Sequence, residues 1–101
     1  MTQLHDLLEK VRDENLSLPQ LESYRDQLIH LHSTMQIQLS EIEKAEAIAL
    51  ASASEEETDA ARKRKWRATE KGQRGIELNR FIKAVVKECD SLRNRVFAAI
   101  R

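Results

Sequence analysis

A heptad of apolar or small residues runs through this chain twice, and it restricts the fold to helices that lie along one another. Leu21, Leu28, Met35, Ile42 and Ala49 fall seven apart, with Leu31 and Ala45 at intermediate seam positions. Then Ala61, Ala68, Gly75, Ile82, Cys89 and Val96 fall seven apart, with Leu78, Val85, Leu92 and Ala99 between them. Such a repeat places one residue per turn or so on a single stripe, and two stripes bury each other. Only two Gly and one Pro interrupt 101 residues, so breakers are scarce. No useful length alternates in the manner of a strand. The pattern predicts an all-α protein: a long antiparallel, coiled-coil-like helical hairpin, with a short N-terminal helix completing a three-helix bundle at one end.

Local signals set the boundaries. The expected helices cover about 3–14, 18–51 and 55–100 within one domain, 1–101. The first carries Leu4, Leu7, Leu8 and Val11 on one stripe and is too short to stand alone. At the second, Ser17 and Gln20 have the spacing of a capping box. Pro19 sits in the first turn, and Leu16 and Leu21 are placed for a hydrophobic staple. Ser52-Ala53-Ser54 is the expected turn, and Ser54 with Glu57 forms a second capping box. The turn holds no Gly or Pro, so one uninterrupted helix that dimerises is the competing arrangement. Gly72 and Gly75 mark either a kink in the third helix or a close approach of its neighbour.

Leu28, Leu31, Ile82 and Val85 are the expected core. Beyond Gly75 the apolar face widens to Ile76, Phe81, Val86, Phe97 and Ile100, enough for two neighbours. An end of the third helix that overhangs the second would expose Val96, Phe97 and Ile100, and these three are the candidate homodimer contact.

Charge narrows the function. Seventeen Lys and Arg balance seventeen Asp and Glu, so overall charge gives no attraction to phosphate. Locally the balance fails. Arg62, Arg64, Lys65, Trp66, Arg67, Lys71 and Arg74 form a basic segment, with Lys63 inside it and Glu70 its single acid. Bases around an aromatic suit phosphate contacts with stacking. Against this, Glu41, Glu43, Glu46, Glu55, Glu56, Glu57 and Asp59 would lie alongside in a hairpin, and interhelical ion pairs would absorb the bases. Asp59 with Lys63, and Glu70 with Arg74, also have helical pair spacing. Trp66 points away from the seam defined by Ala61 and Ala68, where an exposed Trp is a typical binding anchor, unless a register shift at the glycines turns it inward or it lodges against the first helix.

Chemistry-bearing motifs are missing. His30 and His32 lie two apart, on different helix faces, so they and His5 read as exposed or edge-of-core side chains and no metal is expected. Cys89 falls on the seam without a local His or basic cluster and reads as an inert buried thiol in a reducing compartment. Neither a Gly-rich phosphate loop nor a nucleophile elbow is present. There is no signal-peptide pattern at the start and no membrane-length apolar run, so a cytoplasmic location is expected. These features predict a small non-enzymatic interaction protein without a cofactor: an adaptor, assembly factor or inhibitor, of the kind used as bacterial or phage accessory proteins. Its expected partner is another protein, with a homodimer as the expected assembly and no membrane. A nucleic-acid accessory protein using the 62–74 face is the first alternative. An oligomer that binds a small anionic or phosphorylated ligand is the second.

Overall fold

The computed structural model describes residues 2–52 and 57–100, with side chains from Leu4 onward. Among them are four helices and no strand: α1 (Thr2–Val11), α2 (Leu18–Ala51), α3 (Asp59–Ala68) and α4 (Glu70–Ile100). The fold is an all-α helical hairpin bundle in which α2 and α4 pack together. One uninterrupted helix is ruled out, because α2 ends at Ala51 and Glu57 and Thr58 are not helical. The expected Ser54 capping box falls outside the described residues. No helix among the described residues is long and apolar enough to cross a membrane.

The chain divides into two compact units, 1–34 with 82–101 and 35–81. In the first, three helices share a core. α1 contributes Leu4, Leu7 and Val11, α2 contributes Leu21 and Leu28, and α4 contributes Ile82, Val85 and Leu92. Leu31 is half-buried, because it sits at the edge of the stripe rather than on its centre line. Cys89 is also only half-buried, with Arg25 of α2 near it, so the expectation of a fully buried thiol does not hold. In the second unit Met35, Leu39 and Leu78 are buried, and Gly75 lets Ile42 approach α4 closely.

The entry to α2 follows the sequence reading. Ser17 N–H donates to Gln20 Oε1 at 2.9 Å, and Gln20 N–H donates back to Ser17 Oγ at 3.3 Å. The pair satisfies two donors that a helix start leaves orphaned. Leu21, one turn in, is buried and Leu16 half-buried, consistent with the staple.

The end of α1 depends on a residue far along the chain. α1 stops at Val11, earlier than expected, and tightens through Arg12 N–H to Glu9 O and Asp13 N–H to Lys10 O. The guanidinium of Arg95 on α4 donates to Val11 O and to Asp13 O. A cation on the last carbonyls of a helix meets both their hydrogen-bonding need and the negative end of the dipole. Arg95 thus fastens α1 to α4 where α1 ends.

The third expected helix is two helices. Splitting α3 off leaves α4 with 31 residues against 34 in α2, so the length mismatch behind the predicted overhang disappears. Phe97 and Ile100 are nonetheless exposed, while Val96 is half-buried.

Burial separates two leucines one turn apart. Leu28→Ala should cost about 2–5 kcal/mol in a urea unfolding titration, the range for a fully buried leucine. Leu31→Ala should cost clearly less, because its site opens to water and leaves no closed cavity.

A displayed basic helix, candidate interaction surface

α3 is a ten-residue helix with no buried residue, so caps rather than core packing define it. Thr58 is extended at its start, and its hydroxyl accepts from Ala61 N–H at 3.1 Å. Asp59 lies in the first turn and Lys65 and Arg67 in the last, the order that complements the helix dipole. At the other end Thr69 is again extended, with φ −75° and ψ 159°. Its N–H and its hydroxyl both donate to Trp66 O, and the hydroxyl oxygen accepts from Gly72 N–H at 3.0 Å. One threonine therefore closes α3 and opens α4. Thr58-Asp59 and Thr69-Glu70 are the same signal, a capping hydroxyl followed by an acid. That repeated pair could have located the break in the sequence.

Gly72 is what allows the bend. A Cβ there would lie 2.0 Å from Trp66 O and 2.9 Å from Arg67 Cα, both backbone atoms. At Gly75 a Cβ would meet only Ile42 Cγ2, at 3.2 Å. The two glycines thus have the two roles expected of them, one at a kink and one at a close helix approach, although the non-helical residue itself is Thr69.

The bend decides which side chains face outward. Ala61, Arg62 and Trp66 are half-buried, and Ala68 is exposed, so the heptad through Ala61 and Ala68 is not the packed face. Trp66 does not project. It lines a hollow of about 210 Å³ with Ala49, Leu50 and Thr69, and a second of about 200 Å³ with Leu39, Ile42 and Ile76.

The bases sort into two sets. Arg62 lies 4.0 Å from Asp59, Lys65 bonds Glu57, and Arg74 bonds Glu77 at 2.9 Å. The expected pairs Asp59–Lys63 and Glu70–Arg74 are replaced by these. Lys63, Arg64, Arg67 and Lys71 are exposed and make no ion pair among the described residues. Glu43 and Glu46 line the same hollow as Arg67 but do not pair with it. Of the acids expected to absorb the bases, Glu57 and Asp59 pair with Lys65 and Arg62, Glu41, Glu43 and Glu46 pair with none, and Glu55 and Glu56 fall outside the described residues. Lys63, Arg64 and Arg67 occupy one outward arc of α3, and Lys71 follows in the first turn of α4.

Elsewhere chemistry is sparse. No group of three His, Cys, Asp or Glu is placed to hold a metal ion among the described residues. Burial pushes the Cys89 thiol above its ordinary range. Arg25 works against that, and Asp90 and Glu88 add to it. Compared with known proteins, the chain matches no family model, no curated protein and no solved structure.

Two outcomes follow from this geometry. Gly72→Ala should lower stability by about 1–3 kcal/mol in thermal or urea unfolding, although alanine is the better helix former by about 1 kcal/mol. Gly75→Ala should stay within about 1 kcal/mol of the parent, because propensity offsets a contact that a side chain can relieve. Separately, the raised thiol leaves less thiolate at any given pH. Iodoacetamide should alkylate Cys89 more slowly at pH 8 in the folded chain than in urea, with the rate rising at higher pH than for the unfolded thiol.

Proposed function

We propose that this chain is a non-enzymatic helical binding protein that presents the outer face of α3 to an acidic surface on a partner protein. The observation that carries the reading is the set of four exposed cations, Lys63, Arg64, Arg67 and Lys71, without an ion pair among the described residues. They stand on a short helix that buries nothing in the core and is held by threonine caps at both ends. Fixed backbone caps keep such a face ordered before a partner arrives, which lowers the entropic cost of binding.

A protein partner is favoured over nucleic acid for two reasons. The chain has no net charge to draw it toward phosphate at long range. Trp66, the aromatic that would stack on a base, is half-buried against hollows lined by Leu50 and Ile42 instead of facing outward with the bases. Adaptor, assembly factor and inhibitor are all roles such a surface can serve. A reducing, cytoplasmic setting accords with a single cysteine that has no partner in its own chain.

The test is capture from host extract, with and without nuclease treatment, by the parent chain and by Arg64→Glu with Arg67→Glu. The double variant should keep its melting temperature within a few degrees, since both residues are exposed, and should lose the captured protein. Capture that persists in the double variant rejects this surface. Capture that disappears with nuclease treatment, and a salt dependence that becomes shallower in the variant, would establish the nucleic-acid alternative instead.

A further inference from the structure

α4 carries a second heptad, out of phase with the one that packs on α2. Lys83, Val86, Asp90, Arg93, Phe97 and Ile100 alternate in spacing by three and four, so they share one stripe. The stripe is open to water. Val86 is 45% exposed, Phe97 56% and Ile100 64%, and the side chains of Asp90 and Arg93 are 62% and 52% exposed. Lys83 is exposed as well. Asp90 and Arg93 make only a loose pair within the helix, at 4.0 Å, which leaves both groups available.

The order of this stripe is its own complement. Take two copies of α4 running antiparallel, related by a two-fold axis that passes midway between Ser91 and Leu92. Val86 then faces Phe97 of the second copy, and Asp90 faces Arg93 of the second copy. Lys83 faces Ile100 of the second copy, where its methylene stem can cover the isoleucine while the ammonium stays in water. The axis generates each contact twice. The alternating spacing makes every facing pair the combination that an antiparallel coiled coil uses at its seam.

We infer that this outer stripe of α4 is the interface of an antiparallel homodimer, with its register set by two reciprocal Asp90–Arg93 pairs. The occupant is a second copy because the stripe matches itself in both composition and charge, as a two-fold interface requires and as contact with an unrelated partner does not. Apolar pairs at each end supply the attraction, and the central charges exclude shifted or parallel registers, where like charges would meet. The seam spans about five turns and lacks a broad apolar centre, so the dimer belongs to the weak, concentration-dependent class. This inference is independent of the face proposed on α3 and goes beyond the Val96, Phe97 and Ile100 contact expected from the sequence. It leaves out the half-buried Val96 and adds Lys83, Val86, Asp90 and Arg93.

Charge variants separate contacts between chains from those within one. Asp90→Arg alone sets base against base across the axis, and Arg93→Asp alone sets acid against acid. Sedimentation equilibrium should show the parent as a reversible dimer at micromolar concentration and each variant weakened by roughly tenfold or more. An equal mixture of the two variants should dimerise again. One chain then carries two bases and the other two acids at these positions, so both cross-axis pairs return while both in-chain pairs stay broken. Circular dichroism, unchanged in each variant, confirms folding. As a second measurement, Val86→Cys with Phe97→Cys in a Cys89→Ser background should oxidise to a covalent dimer. Closure within one chain is excluded, because the two sites lie roughly 16 Å apart along a helix and a disulfide spans about 4–7 Å. A parent that stays monomeric at several hundred micromolar overturns the proposal. Single variants that still dimerise, or a mixture that stays monomeric, also overturn it.

Discussion

The narrow seam between α2 and α4 is the constraint on which the other elements depend. Leu28, Leu78, Val85 and Leu92 are almost wholly removed from water, and each contributes about 1.5–3 kcal/mol by that transfer. No polar or charged residue is buried as a whole among the described residues, and the unpaired polar atom beside this seam is the Nε of the half-buried Arg25, so little offsets the attraction. A helix as long as α2 has no loop or breaker to direct it, and the seam alone sets which side faces in.

The seam also explains how short helices persist. Ten-residue helices are marginal in isolation. α1 is held by Leu4, Leu7 and Val11 against the seam helices and by Arg95 on its last carbonyls. α3 has no comparable anchor in the core and depends on Thr58, Thr69 and the missing Cβ at Gly72. One short helix is integrated into a core, and the other is displayed. That contrast is the physical basis for proposing α3 as the binding element, where substitution of outer residues disturbs little packing.

α4 serves both purposes along its length. Its inner stripe of Leu78, Ile82, Val85 and Leu92 is buried within the fold, while Val86, Phe97 and Ile100 remain in water on another side. Exposed large apolar residues are tolerable singly, but three on one stripe with a matched charge pair between them suggest an interface. The exposed bases of α3 lie on a different helix, so the proposed self-association and the proposed partner binding would use different residues.

The sequence alone determined the all-α class, the pairing of two long helices, the cap at Ser17 and most of the seam. Each of these rests on spacing within a few residues or on a period that one helix carries without interruption. It also marked the basic segment, because composition survives any error of phase. Tertiary structure decided the rest. Thr69 leaves the helical conformation, and a single non-helical residue resets the phase of everything before it. Ala68 therefore ended outside the packed face, and Trp66 turned toward Leu50 and Ile42. The partners of the bases changed for the same reason, since which charges meet depends on where each helix begins. Arg95 reaches carbonyls more than 80 residues earlier in the chain, a contact that no local period encodes. A heptad records which residues one helix can bury. Where that helix stops, and what meets it from elsewhere, is fixed only when backbone groups at its ends find their partners in the folded chain.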